Sequence, residues 1–228
     1  DKDGTLTNSE KELSFLAKER IRKTIYLLKS MDKNNIKTQE VERLLMKAYG
    51  VRNGKIQPDG MIAIASREHN IISTATIINL FGLNWPEAID LTKNIFFQVD
   101  NLNEKFLNKR PLIRGAREAL LTLKEAGIKC ALISNDTDKG IQNFINENKL
   151  SKIFSSIRSA EKYPTKPNPR SAIELCESIK LNPSECALIG DSETDLKMAL
   201  QANFGLILGF TGGWSGHLDL SMDYHLFN

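Results

Sequence analysis

The sequence predicts an α/β protein, a doubly wound parallel sheet of Rossmann-like type, interrupted by a mainly α-helical insertion. Three observations carry this. From Pro111 onward, short apolar runs alternate with segments of helical period, the pattern of strand–helix–strand units and so of a parallel sheet. Between Leu6 and Pro111 helical periodicity persists with little strand signal, which sets residues 7–110 apart from a core made of 1–6 and 111–228. Finally, acidic, hydroxyl and lysine side chains stand at or just after the ends of the strand-like runs, where open α/β sheets bind their ligands.

In the insertion, Leu13, Leu16, Ile21, Ile25 and Leu28 form the apolar stripe of a first helix whose other face carries Lys18, Glu19, Arg20 and Lys23. A second helix runs from about Gln39 to Tyr49 and stops at Gly50, which tolerates the left-handed conformation that ends helices. Arg52-Asn53-Gly54-Lys55 reads as the tip of a small hairpin. A third helix falls within Met61–Phe81. A fourth opens at Pro86, favoured at a first helical position, and continues through Ala88, Leu91, Ile95 and Val99.

The core resumes with a helix from about Gly115 to Ala126, apolar at Ala116, Leu120 and Leu123 and closed by Gly127. Ile128–Ser134 reads as a buried strand, and Asp136 or Thr137 caps the helix after it. A strand over Lys152–Ile157, a helix over Pro169–Ile179, a strand over Cys186–Ile189, a helix over Thr194–Ala202 and a strand over Phe204–Gly209 follow. Asn203 suits the left-handed turn between the last two. Met222–Phe227 reads as a last short strand or its approach.

Composition narrows the class of partner. A net charge of +3, with Lys and Arg scattered among Asp and Glu, speaks against nucleic acid and suits a small anionic ligand. No apolar run reaches the length of a membrane span, so no membrane partner is expected, and the oligomeric state is open. Cys130, Cys176 and Cys186 are odd in number, lack metal-type spacing and sit in apolar patterns, so packing is their expected role and a reducing cytoplasm the default compartment.

The chemistry concentrates in four segments. Asp1-Lys2-Asp3-Gly4-Thr5-Leu6 offers two carboxylates two residues apart and a tight glycine turn, able to serve a metal ion and a phosphoryl group together. Ile133-Ser134-Asn135-Asp136 closes the run Cys130-Ala131-Leu132; Lys166-Pro167-Asn168-Pro169 precedes a helix; Ile189-Gly190-Asp191-Ser192-Glu193-Thr194-Asp195 follows Cys186-Ala187-Leu188. In this order the four segments resemble those of the haloacid dehalogenase superfamily of phosphohydrolases, and over Asp1 to about Phe210 the chain looks most like its phosphoglycolate phosphatase group, with residues 7–110 as a helical cap.

That resemblance implies a Mg2+-dependent phosphatase acting on a small phosphorylated metabolite, phosphoglycolate-like or a sugar phosphate, through an aspartyl-phosphate. Asp1 would be the nucleophile. Asp3 would protonate the leaving oxygen and later activate water, while its carbonyl joins Asp1 and Asp191 around Mg2+. An acid at Asp3 favours ester hydrolysis over dehalogenation, since a halide leaves without a proton. Ser134 and Lys166 would hold the transferring phosphoryl group, with Thr5 and Asn135 beside them. Asp195 would orient the lysine or a ligand, or act only as a carboxylate at a helix N-terminus, with Glu193 a lesser assistant. Arg67 and His69 are substrate-contact candidates in the cap, although an exposed histidine is the commoner case. Thr211–Gly216 resembles the Gly-rich loop at that place in phosphoglycolate phosphatase-like members, with Trp214 either bordering the entrance or packing.

Two rival readings share the fold: a phosphomutase of the β-phosphoglucomutase type and a catalytically idle binding protein. Because a nucleophile of this kind belongs at the end of a buried strand, the sequence also predicts a short apolar strand before Asp1 and a further helix after Asn228.

Overall fold

The computed structural model describes residues 1–31, 36–106, 110–216, 220 and 225–227. Contacts divide the chain into two units, Glu10–Asn108 on one side and Asp1–Ser9 with Lys109–Asn228 on the other.

In the first of these, α1 (Glu10–Ser30) buries Ala17, Arg20, Ile21, Thr24 and Leu28 at helical spacing. Arg20 therefore leaves the polar face where the sequence placed it. Its guanidinium lies 3.9 Å from the centre of the Phe96 ring, and Nη2 donates to Asp100 Oδ1 at 3.1 Å. A flat, weakly hydrated cation can stack in this way where an ammonium could not, and a linear pattern of charge does not reveal it. Helix α2 (Thr38–Tyr49) ends at Gly50, whose φ of 78° lets its N–H cap the Lys47 and Met46 carbonyls. Strands β1 (Val51–Arg52) and β2 (Lys55–Ile56) pair antiparallel across Asn53 and Gly54, both at positive φ as a two-residue hairpin requires.

The segment expected to hold a third helix divides into α3 (Met61–Ile64) and α4 (Arg67–Leu80). Ser66 makes the break: its hydroxyl accepts from His69 N at 3.3 Å and so starts a new helix. Helix α5 (Trp85–Phe106) opens where Asn84 Oδ1 accepts from Glu87 N. Ile71 of α4 and Ile95, Phe96 and Val99 of α5 form a buried cluster, with Leu16 and Leu27 of α1 against it.

The second unit contains α6 (Ala116–Glu125), β3 (Cys130–Ile133), α7 (Asp138–Glu147), β4 (Phe154–Arg158), α8 (Pro169–Ser178), β5 (Ala187–Gly190), α9 (Glu193–Gln201), β6 (Leu206–Phe210) and β7 (His225–Phe227). Among the described residues the pairings between these strands are parallel, β3 with β4, β5 with β6, and β6 with β7. Residues 222–224 of the expected last strand lie outside the described residues. Strand β3 starts later than its apolar run suggested, and Ile128 is exposed.

Adjacent residues of a strand face opposite sides, and β3 shows it. Leu132 packs with Leu120 of α6 and Ile141, Phe144 and Ile145 of α7. Ile133 packs with Ala172 and Leu175 of α8 and Met198 and Ala199 of α9. Helices thus cover both faces, the doubly wound arrangement, and burying each such side chain contributes roughly 1.5–3 kcal/mol. Asn203 takes φ 57° between α9 and β6 as expected.

Residues 1–9 are stitched into this unit at several points. The main-chain nitrogen of Asp1 donates to the Ile189 carbonyl of β5 at 2.9 Å. Thr7 bridges to Asp3 and to Leu112, and Ile113 N donates to Leu6 O. Between them the chain turns back on itself, with Leu6 N and Thr7 N both donating to the Lys2 carbonyl.

Candidate active site

The ends of β3 and β5 place Ser134 and Asp191 directly after their last strand residues, and Asp1 lies beside β5 through its bond to Ile189. The lysine reaches this point from the loop before α8. Lys166 is 6% exposed, and its Nζ lies 2.8 Å from Asp1 Oδ1 and 2.7 Å from Asp195 Oδ1. Asp191 accepts on both oxygens, from Thr5 Oγ1 at 3.0 Å and from Trp214 Nε1 at 2.6 Å. Residues from the two ends of the chain thus meet at one carboxylate.

Two glycines make the approach possible. Gly4 has φ 74°, and a Cβ there would lie 2.0 Å from Asp191 Oδ2 and 2.3 Å from Trp214 Nε1. At Gly213 a Cβ would meet the Gly4 carbonyl oxygen at 1.7 Å, so the loop bearing Trp214 can lie against the turn only because both positions lack side chains.

Oxygens of Asp1, Asp191 and Asp195 lie within 4.8 Å of one another, three carboxylates against the single ammonium of Lys166. The electrostatic outcome differs between them. Burial, the largest single influence, would raise Asp195, but the Lys166 charge and hydrogen bond, with the Ser192 hydroxyl among the further contributions, together hold it below the ordinary carboxylate range. Asp191 has no ion-pair partner among the described residues; burial, then the nearby Asp195 charge, pushes it up from 3.8 to about 6 against the weaker pull of Trp214, Lys166 and Thr5. The pocket thus carries more negative charge than its own residues neutralise. An all-oxygen, acid-rich donor set of this kind fits a hard divalent cation such as Mg2+.

The other expected residues divide into those gathered here and those elsewhere. Ser134 is buried, its hydroxyl accepting from Asp136 N at 3.2 Å, and Asn135 Nδ2 donates to the Lys166 carbonyl at 3.4 Å. Asp3 lies two residues from Asp1, but its carboxylate is outside the acidic group: Oδ1 accepts from Ser9, and Oδ2 lies 3.0 Å from Lys2 Nζ. Glu193 stands at the start of α9, 3.6 Å from Lys197, and is not part of the acidic cluster. Arg67 and His69 belong to the helical unit. Arg67 Nε donates to Asp100 Oδ2 at 2.7 Å, and His69 is exposed.

Three residues here were not legible as site residues. Trp214 was readable only as a residue either bordering the entrance or packing, although its N–H addresses Asp191 directly. Lys2 and Asp136 form an ion pair at 2.5 Å, and Thr137 rather than Asp136 caps α7. The available signal was a lysine between two acids in a segment bound for the interior.

The fold and this site define a class: a parallel α/β protein with an acidic, lysine-braced cluster at the carboxyl ends of its strands. A family model of haloacid dehalogenase-like hydrolases matches residues 1–203, and the chain belongs to that family. It is 30% identical over 131 residues to a phosphoglycolate phosphatase of Psychrobacter arcticus, covering 56% of each chain. To a phosphoglycolate phosphatase of Vibrio vulnificus it is 31% identical over 101 residues, 42% of this chain and 44% of that one. The matched segment thus spans about half the length of these relatives. Among solved structures, a predicted phosphoglycolate phosphatase from Haemophilus somnus aligns with a TM-score of 0.69 at 21% identity, covering 99% of this chain and 91% of that one. A hydrolase from Pseudomonas syringae aligns at 0.61 and 17%, covering 92% and 82%. Both show the shared fold. Among the described residues no helix is long and apolar enough to cross a membrane.

Proposed function

We propose that the protein is a phosphoric monoester hydrolase acting on a small phosphorylated metabolite, of the phosphoglycolate or sugar phosphate kind, through an aspartyl-phosphate at Asp1. The observation that carries this reading is the chain Asp1–Lys166–Asp195 beside Asp191, a buried carboxylate with hydroxyl and indole donors but no ion-pair partner among the described residues. Lys166 holds Asp1 by one oxygen and so directs the carboxylate that attacks phosphorus, and its ammonium offsets charge on the transferring group. Asp195 holds the lysine in turn. Ser134 offers its hydroxyl to the phosphoryl oxygens, with Thr5 and Asn135 beside them. Asp3 gives a proton to the departing alkoxide and takes one from the water that opens the aspartyl-phosphate.

Asp1, Asp191 and the Asp3 carbonyl are the groups that would hold Mg2+, which when bound supplies the positive charge this pocket lacks. Substrate choice is assigned to the helical unit, with Arg67 and His69 as its candidates.

The test is release of inorganic phosphate from 2-phosphoglycolate, a panel of sugar phosphates and p-nitrophenyl phosphate, each with Mg2+. Release that Asp1→Asn abolishes supports the reading. Isomerised sugar phosphate without phosphate release would make the protein a mutase, and binding of these esters without turnover would make it an idle binder.

A further inference from the structure

We propose that Lys2 is a positioning residue for the acid–base carboxylate, clamping Asp3 against a fixed post, Asp136, at the end of β3. Lys2 is 2% exposed, and its Nζ lies 2.5 Å from Asp136 Oδ2, 3.0 Å from Asp3 Oδ2 and 5.9 Å from the centre of the Phe144 ring. Burying an ammonium costs several kcal/mol before its partners offset it, and an apolar side chain of the same volume would fill this space without that cost. Packing therefore does not account for a cation here.

The geometry does. Asp136 is itself held: its Oδ1 accepts from Thr137 N at 2.7 Å, and Arg110 Nη1 lies 3.6 Å from Oδ2. Burial would raise Asp136, but Lys2 and then Arg110 hold it below the ordinary carboxylate range. Lys2 is thus anchored by its hydrogen bond to Asp136 and brings its ammonium to 3.0 Å from Asp3 Oδ2. Ser9 donates to the other Asp3 oxygen, so a hydrogen bond on one oxygen and an ion pair on the other hold the carboxyl plane. The same contact joins the turn bearing Asp1 and Asp3 to the turn bearing Ser134, because Asp136 N donates to the Ser134 hydroxyl. A carboxyl that transfers protons acts only within hydrogen-bond reach of the leaving oxygen, so fixing its plane is a condition of its work.

This inference rests on the reading of Asp3 as acid and base, and the experiment separates the two. An alkyl ester such as 2-phosphoglycolate needs a proton on its leaving oxygen, whereas p-nitrophenolate leaves without one, and kcat/KM reports the first phosphoryl transfer for both. Lys2→Met is expected to lower kcat/KM for 2-phosphoglycolate at least about 10-fold and for p-nitrophenyl phosphate less than about 3-fold. Because Lys2→Met leaves the Asp136 charge short of a partner, Lys2→Met/Asp136→Asn serves as the folding control; it should melt near the parent and keep the same bias. Equal loss on both esters, no loss, a gain, or a bias that disappears in the double variant overturns the proposal. Asp3→Asn must show the bias itself: its presence there and absence in Lys2→Met overturns the role of Lys2 alone, and its absence in Asp3→Asn overturns the reading of Asp3 and this proposal with it.

Discussion

At the strand ends three carboxylates, of Asp1, Asp191 and Asp195, share the ammonium of Lys166, whereas in the helical unit two guanidiniums, of Arg20 and Arg67, share the carboxylate of Asp100. The two clusters have opposite balances and different remedies. In the helical unit the surplus positive charge rests on the Phe96 ring, 3.9 Å from Arg20 and 5.7 Å from Arg67, and Asp100 and Arg67 keep about a third of their side-chain surface in water. At the strand ends Asp191 and Asp195 are buried, and among the described residues Asp191 is left without an ion-pair partner of its own. The helical cluster meets its surplus charge with a ring face and water, although the buried Arg20 Nε finds no hydrogen-bond partner among the described residues. The strand-end cluster is incomplete, and incompleteness of that sort marks a place where a ligand's charge enters.

The largest expected effect breaks the strand-end cluster directly. Asp1→Asn should lower phosphate release from p-nitrophenyl phosphate by about 10³-fold or more, since an amide cannot form the acyl phosphate. A parent-like rate would remove Asp1 from the role of nucleophile. Next in size, EDTA should reduce turnover by on the order of 100-fold with full recovery in excess Mg2+, because the residues alone leave the pocket negative. Equal activity with and without chelator would end the metal assignment.

On the other side of the comparison, Arg20→Met should cost about 1–3 kcal/mol in chemical denaturation, through the lost Asp100 bond and ring stacking, while kcat stays at the parent value. A drop in kcat with unchanged stability would show that the helical cluster is more than structural.

The smallest effect sharpens the contrast through pH. Asp191 takes up a proton as pH falls through about 6, and that proton competes with a cation, so apparent Mg2+ affinity by titration calorimetry should weaken about tenfold per unit below that point. Because its folded value lies above the ordinary 3.8, Asp191 adds stability to the cation-free protein at low pH, and this is lost as pH rises from about 4 to about 6. Asp136 runs the other way. Its folded value is depressed, so its contribution is present above 3.8 and lost as pH falls, and Asp136→Asn should flatten the acid limb of the melting curve. A steeper acid limb in that variant would reverse the assignment.

Much of the architecture was readable because local chemistry decides it. Gly50 and Gly127 close helices, Asn53-Gly54 turns the hairpin and Asn203 takes a left-handed turn, each from its own backbone preference. Asp191 and Asp195 were readable as acids that follow an apolar run, Asp1 and Lys166 from the resemblance of their segments, and the four do meet. Arg20 was misplaced because amphipathic patterns sort residues by hydropathy and cannot see a ring waiting 76 positions away in α5. The role of Trp214 was hidden because its hydrogen bond to Asp191 spans 23 residues, and its loop reaches that carboxylate only by lying against Gly4, more than two hundred residues away, which leaves no local trace.

By itself, then, the amino-acid sequence determined the periodicities, the turns and the order in which reactive groups follow strands, since these depend on side-chain volume, backbone preference and the step of helix or strand. Which charges lack partners was decided only in three dimensions. Asp191 and Asp195 stand four residues apart with the same side chain, yet one sits against Lys166 and the other against an indole and a hydroxyl. Proximity to a buried ammonium, rather than residue type, separates a satisfied carboxylate from one poised for a cation, and only folding brings that ammonium near.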